Sequence, residues 1–142
     1  MSFGYQILGF GGRVAAAAGG MASAAGDRGV FYGGGGPSDF TTIDYISIST
    51  LGNATDFGNV VDQNNYPASV SNGSRGCFGG GSTISGTYRG VDIEYLTIGT
   101  LGDGLFFGNL TIGRGTGAAV SGGGRGCWGG GDPPNSDALD YI

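Results

Sequence analysis

Apolar and polar side chains alternate along short stretches of this chain. Residues 42–48 show the period-two pattern that is typical of a half-buried β-strand. The same alternation returns at residues 68–71, where Asn72-Gly73 follows as the favoured two-residue hairpin turn. Residues 75–78 are then a further short predicted strand, which ends at three consecutive glycines. The pattern predicts an all-β chain of short strands separated by tight turns.

These strands belong to an internal repeat. A gapless alignment at an offset of fifty residues matches 43–81 to 93–131, with 19 identities in 39 positions. Partial copies occur at residues 28–31 and 139–142. We therefore expect a repeat module over residues 28–142, with repeats at about 43–92 and 93–142. A repeat of this length with four short strands is typical of a β-propeller blade or a similar sheet module.

Composition supports an ordered module. Glycine supplies 35 of 142 residues, a bias that often indicates disorder. However, hydrophobic residues make up 39% and aromatic residues 11%, which is enough to bury a core. The glycines also cluster in tracts that recur between the predicted strands, where they let backbones approach closely.

The first 27 residues have a different character. Alanine and glycine dominate residues 11–26, after a short apolar plug. The plug consists of Tyr5, Ile7, Leu8 and Phe10. A plug of that size cannot make a core alone, so we expect residues 1–27 to lie outside the repeat module and to act as a docking arm.

Charge excludes several classes of partner. The chain carries six basic and eleven acidic residues, a net charge of −5. This balance offers no footprint for a phosphate backbone and no basic patch for an anionic membrane. No apolar run approaches the length of a membrane-spanning helix. We expect neither nucleic-acid binding nor membrane insertion.

Candidate chemistry is sparse. Histidine is absent, which removes the commonest general base and metal ligand. We therefore expect no catalytic, cofactor-binding or metal-binding residues, and no enzyme activity. Cys77 and Cys127 occupy equivalent repeat positions. They could form a disulfide or a metal pair, but two small buried hydrophobic residues is the favoured interpretation.

Repeated charges indicate ion pairs. Asp44, Glu94 and Asp140 form one equivalent set, and Arg28, Arg75 and Arg125 form another. A repeated acid near a repeated arginine more often bridges neighbouring strands than performs acid–base chemistry. We expect ion pairs between the two sets, with Asp44, Glu94, Arg75 and Arg125 as those of the two full repeats.

Residues 42–58, with 74–76 and 78–81, resemble a kelch-like repeat family of tailed-phage virion proteins that is best known from marine cyanophages. The string GNATDFG at 52–58 is the most specific part, and residues 102–108 keep its frame. Residues 3–11 are similar to the start of small phage structural proteins. The resemblance implies two kelch-like, four-stranded repeats in a virion structural protein. Tail or tail-fibre association and capsid decoration are both open, with other virion proteins as partners.

Unpaired strand edges indicate assembly. Partial repeats at both ends of the module leave edges that invite pairing with another chain. We expect a homo-oligomer, a trimer supplying six sheets, in which the strand containing Leu139, Tyr141 and Ile142 adds to a neighbouring sheet. The alternative is a carbohydrate-binding adhesin, in which exposed Tyr, Phe and Trp side chains stack on a host-surface glycan.

Overall fold

The computed structural model describes residues 27–33, 41–82, 90–115, 117–122, 124–132 and 137–142. All regular structure in these ranges is β-strand, as the alternating pattern predicts. Ten strands follow one another along the chain: β1 Arg28–Tyr32, β2 Thr42–Ser47, β3 Thr55–Asn59, β4 Ala68–Ser71, β5 Arg75–Gly79, β6 Asp92–Thr97, β7 Leu105–Asn109, β8 Ala118–Gly122, β9 Arg125–Gly129 and β10 Leu139–Tyr141.

The strands form three open antiparallel sheets. Sheet 1 has the order β1-β2-β3, sheet 2 the order β4-β5-β6-β7, and sheet 3 the order β8-β9-β10. Only sheet 2 is four-stranded among the described residues, which corrects the expectation of two four-stranded repeats. The sheets are out of phase with the sequence repeat, because residues 43–92 contribute two strands to sheet 1 and the next two to sheet 2. The alignment at a fixed spacing gives the length of the repeat, but it does not show which strand is the first of each sheet.

The turn between β4 and β5 forms where Asn72-Gly73 predicts it. Gly73 has a φ of 87°, a conformation that favours glycine. The Asn72 side-chain oxygen accepts hydrogen bonds from the backbone N–H groups of Ser74 and Arg75 at 3.0 and 2.8 Å. The turn thus satisfies its own backbone and sets the register in which Ser71 lies opposite Gly76.

Two hydrophobic cores hold the sheets together. The first lies between sheets 1 and 2, and its buried members are Ile43, Phe57, Val60, Phe78, Leu96 and Ile98. The second lies between sheets 2 and 3, and its buried members are Val70, Cys77, Ile93, Leu110 and Trp128. Sheet 2 is therefore covered on both faces, whereas sheets 1 and 3 each contact one neighbouring sheet among the described residues. We call the two interfaces junction 1 and junction 2.

Glycine permits the close backbone contacts at the end of β5. Gly80 and Gly81 have φ values of 75° and 99°. A Cβ on Gly80 would lie 2.7 Å from the carbonyl oxygen of Arg114, and one on Gly81 would lie 2.8 Å from that of Asn65. The glycine tract thus brings sheet 2 against the loops that follow β3 and β7.

Candidate functional site

The same register recurs in all three sheets. Phe31 lies opposite Asp44 in sheet 1, Phe78 opposite Glu94 in sheet 2, and Trp128 opposite Asp140 in sheet 3. Each aromatic residue and its acid point to the same face, because directly opposite residues share a side of the sheet. These matched positions let the environments of the three sheets be compared residue by residue.

In junction 1 the acid of sheet 2 binds the loop that leaves sheet 1. The Glu94 carboxylate accepts hydrogen bonds from the backbone N–H groups of Val61 and Asp62, at 2.9 and 2.8 Å. Beside it, the ring of Phe78 packs edge-on against Tyr32, with ring centroids 5.4 Å apart. Apolar packing and two charge-assisted hydrogen bonds therefore hold this junction together.

Junction 2 repeats the arrangement with stronger electrostatics. The Asp140 carboxylate accepts the backbone N–H of Thr111 at 2.8 Å and forms an ion pair with Arg114 at 2.6 Å. Both charged side chains are buried. Arg114 also donates to the carbonyl oxygens of Gly130 and Ala138, so the guanidinium joins the loop after β7 to sheet 3.

Glycine accommodates the larger aromatic ring of junction 2. Trp128 is fully buried, and its indole N–H donates to the carbonyl oxygen of Ala68 at 3.0 Å. A Cβ on Gly79 would lie only 3.1 Å from the indole nitrogen. Gly79 of sheet 2 corresponds to Tyr32 of sheet 1 in the strand register. Junction 1 thus pairs a tyrosine with the ring of Phe78, and junction 2 pairs a glycine with the larger ring of Trp128.

Sheet 1 exposes a face whose equivalents are buried. This outer face of sheet 1 comprises Phe31, Asp44, Ile46 and Ile48. Phe31 is 57% exposed and Ile48 66%, whereas the equivalent Phe78 and Ile98 of sheet 2 are 8% and 7% exposed. No hydrogen bond joins the Asp44 carboxylate to a described residue, although the equivalent Glu94 and Asp140 each bind a loop.

Sheet 3 exposes the opposite half of the same interface. The outer face of sheet 3 comprises Val120, Cys127, Leu139 and Tyr141. Val120 is 64% exposed and Leu139 74%, against 6% and 3% for the equivalent Val70 and Ile93, which sheet 3 covers in junction 2. Sheet 2 has both of its faces covered. Sheet 1 exposes the equivalent of one of those faces, and sheet 3 exposes the equivalent of the other.

The predicted assembly residues fall into two groups. Leu139 and Tyr141 lie on the outer face of sheet 3, while Ile142 turns the other way and packs against the core of junction 2. The apolar plug of the N-terminal arm, which comprises Tyr5, Ile7, Leu8 and Phe10, lies outside the described residues.

The predicted repeat ion pairs are arranged differently from the expectation. Arg75 lies opposite Thr97, three residues along β6 from Glu94, and its guanidinium stacks 4.5 Å from the ring centroid of Tyr95. Arg125 stacks in the same way on Tyr141 at 5.4 Å. The strand register thus separates the arginines from Asp44 and Glu94, and each arginine makes a cation–π contact instead. Among the described residues, the arginine that forms an ion pair with one of these equivalent acids is Arg114, and its partner is Asp140.

Sequence reasoning missed Arg114 and the outer faces. Arg114 has no charged counterpart in the first repeat, where Asn64 stands at its position, so a search for repeated charges passes over it. The outer faces could have been found by asking which repeat positions have a neighbouring sheet on only one side. Answering that question requires knowing which strands belong to the same sheet, and the fifty-residue spacing alone does not determine this.

Both cysteines are free thiols. Cys77 is buried in junction 2, and that burial raises the pKa of its thiol. Cys127 is half-buried on the outer face of sheet 3. We expect an alkylating reagent to label Cys127 of the folded chain first and Cys77 only after unfolding, because the thiolate is the reactive form and must be reached. Mass spectrometry after timed alkylation checks this, and under denaturing, non-reducing conditions both sites should be labelled. A chain two hydrogens lighter that takes no label would contradict it.

A pair of carboxylates lies beside junction 1. Burial raises the pKa of Asp92, and the neighbouring Asp62 carboxyl raises that pKa further. The folded chain therefore binds the Asp92 proton more tightly than the unfolded chain does. The contribution of Asp92 to stability is therefore greatest below the ordinary aspartate pKa and is lost as the pH rises through the raised pKa of folded Asp92.

Asp92→Asn should consequently be more stable than the unmodified chain at pH 7. The gain should stay below about 1 kcal/mol, since solvent screens this partly exposed pair. Asparagine still offers an oxygen to the Asn109 side-chain amide, which donates to Asp92 at 2.7 Å once the amide is turned to the orientation that satisfies its neighbours. Urea unfolding at pH 7 and at pH 3 measures the difference, with the exposed Asp56→Asn as the matched control. Equal or lower stability of Asp92→Asn at pH 7 would contradict the assignment.

No group of three or more acidic or cysteine side chains in the described ranges is placed to hold a metal ion. Across the part of the chain that the structure describes, no helix is long and apolar enough to cross a membrane. A scan against protein-family models and a search of curated proteins both return no match.

Proposed function

We propose that this chain is a non-enzymatic structural protein of a bacteriophage virion, associated with the tail or tail fibre or decorating the capsid. The observation that carries the proposal is the pair of apolar outer faces at the two ends of the stack. Contiguous exposed apolar surface of this kind marks an interaction site. The likeness of residues 42–58 to tailed-phage repeat proteins supports the virion as the setting.

The docking arm extends this proposal. Residues 1–27 carry an apolar plug that has no core of its own in the sequence pattern. In this role the arm anchors the chain in the particle, and the partners are other virion proteins. The sheets then present their loops outward.

Particles purified from a host that carries the gene test the proposed function. Peptide mass spectrometry should detect the chain in the particles, and electron microscopy of labelled particles should place it on the tail or the capsid. Copy number by gel densitometry separates a decoration present in many copies from a tail component present in few. A chain that is expressed but absent from purified particles would refute the proposal.

Deletion of residues 2–26 tests the arm. The shortened chain should remain a soluble β-rich protein and should no longer join the particle. Its circular dichroism spectrum reports the fold, and the fluorescence of Trp128 reports junction 2. Normal incorporation of the shortened chain would refute the anchoring role.

A carbohydrate-binding adhesin is the second candidate. The observation that favours it is the exposure of Tyr66 and Phe106, whose rings face solvent and could stack on a sugar. Glycan-array binding that is lost on Tyr66→Ala or Phe106→Ala would support it, and no binding to any glycan would count against it.

A further inference from the structure

We propose that copies of this chain associate head to tail, with the outer face of sheet 3 in one copy packed on the outer face of sheet 1 in the next. The inference rests on the proposal that the chain works as part of an assembly, and it names the partner as a second copy. The contact would be a third version of junctions 1 and 2.

Sheet 2 supplies the first argument. One of its faces carries Phe78, Leu96 and Glu94 and packs on sheet 1; the other carries Val70, Cys77 and Ile93 and is covered by sheet 3. The outer face of sheet 1 has the equivalents of the first set, and the outer face of sheet 3 has the equivalents of the second. Surfaces of these two kinds already pack together within the chain. The outer faces of sheets 1 and 3 are one surface of each kind, and both are left uncovered by the described residues.

Complementary shapes supply the second argument. In junction 2, Trp128 lies over Gly79, and Val70 lies so close to Gly126 that a Cβ there would come within 2.5 Å of it. The corresponding pairs between copies are Phe31 over Gly129 and Val120 over Gly29. Each large side chain would again meet a glycine, which permits close approach of the two sheets.

An uncovered edge supplies the third argument. The backbone N–H groups of Gly102 and Gly104 donate to the carbonyl oxygens of Phe57 and Asn59, at 3.0 and 2.7 Å, so this loop lies along the edge of β3. Phe57 is 3% exposed there, whereas Phe107 at the same position of β7 is 42% exposed. The β7 edge therefore lacks, among the described residues, the segment that covers its counterpart.

The N-terminal arm has the sequence register to fill that place. Phe10-Gly11 precedes Arg28-Gly29 by 18 residues, the same spacing that separates Phe57-Gly58 from Arg75-Gly76 and Phe107-Gly108 from Arg125-Gly126. Residues 8–12 thus correspond to the last strand of a sheet, and residues 5–7 to the loop at 102–104.

Sheet 3 is the sheet in which the position beyond β10 is unoccupied among the described residues. A segment of a second copy can therefore pair with this edge. The match in sequence register makes residues 5–12 of the arm the candidate for the free edges of β10 and β7.

The number of sheets determines how such a contact closes. Each chain has three sheets, so two copies joined through two head-to-tail contacts supply six. Closed arrays of about four to eight sheets are the usual range. The expected trimer assumed two sheets per chain, and with three sheets the same six-sheet ring takes two copies.

Variants that damage one face each test the proposal. Val120→Glu damages the outer face of sheet 3, and Phe31→Glu damages that of sheet 1. The purified full-length chain should sediment as a two-copy species, and either variant alone should weaken association about 30-fold or more, as expected for a central interface residue. An equimolar mixture should again form a two-copy species, because it retains one intact contact. Leu51→Glu, at a fully exposed loop position, is the matched control and should associate normally.

Two readouts keep the test decisive. The single tryptophan is Trp128, so its buried emission shows that each variant is folded; if one is not, Leu139→Glu or Ile48→Glu replaces it. Alkylation of Cys127 should slow as the concentration of the unmodified chain rises. Single-face variants that associate normally, or a mixture that stays monomeric, would overturn the proposal. A monomeric chain found in virions would refute this inference alone, and a two-copy chain absent from virions would refute only the proposed function.

Discussion

Asp140→Ala is expected to lower the free energy of unfolding by about 3–5 kcal/mol, because it leaves a buried guanidinium without its counter-charge. Arg114 is 2% exposed and has the Asp140 carboxylate as its ion-pair partner. The substitution also removes the acceptor of the Thr111 backbone N–H. Urea unfolding followed by Trp128 fluorescence measures the loss, since the same junction contains both groups.

Two comparisons isolate the cause. Asp44 is the equivalent residue of sheet 1, and its carboxylate binds no loop that the structure describes. Asp44→Ala should therefore change the free energy of unfolding of the monomer by less than about 0.5 kcal/mol. The double variant Arg114→Met/Asp140→Leu should regain most of the loss, because replacing both charges with apolar groups leaves none buried unpaired. An Asp140→Ala chain as stable as the unmodified one would show that the pair does not hold junction 2.

Trp128→Ala is expected to cost about 3–5 kcal/mol of unfolding free energy, the usual loss when a fully buried large aromatic residue is truncated. The indole contributes contacts with Gly79 and the hydrogen bond to Ala68. Its removal would leave a cavity between sheets 2 and 3 and would remove that hydrogen bond. Unfolding followed by far-ultraviolet circular dichroism measures this variant, since it has lost the fluorophore.

Phe31→Ala is the matched variant at the same repeat position. Phe31 lies on the uncovered face of sheet 1, so its truncation should cost less than about 1 kcal/mol at concentrations where the chain is monomeric. The contrast between the two positions follows from the presence of a neighbouring sheet. Equal costs for Trp128→Ala and Phe31→Ala in the monomer would contradict the assignment of buried and outer faces.

Local structure was largely predictable from the sequence. The alternation at residues 42–48 places Ile43 and Tyr45 on one face, and β2 has both facing junction 1. Asn72-Gly73 specifies its turn through the φ that glycine tolerates and the side-chain acceptor that asparagine provides. These features depend on contacts within a few residues, which a sequence pattern records directly.

The grouping of strands into sheets was not predictable from the same pattern. A repeat of fifty residues can be cut at any turn, and its most conspicuous break misleads. The glycines at 79–81 lie between β5 and β6, which pair within sheet 2, whereas the sheets divide between β3 and β4. The pairing of Arg114 with Asp140 depends on a loop and a strand 26 residues apart that meet only when sheets 2 and 3 stack. Long-range stacking, which leaves no periodic trace in the sequence, decided both.

Native mass spectrometry of the full-length chain over a range of micromolar concentrations tests the central claim most directly, that the outer faces of sheets 1 and 3 are two halves of one interface. The account predicts a discrete species of two chains that converts to monomer on dilution, and whose population falls sharply in Val120→Glu. A folded chain that stays monomeric at every concentration, with Cys127 equally reactive throughout, would contradict it.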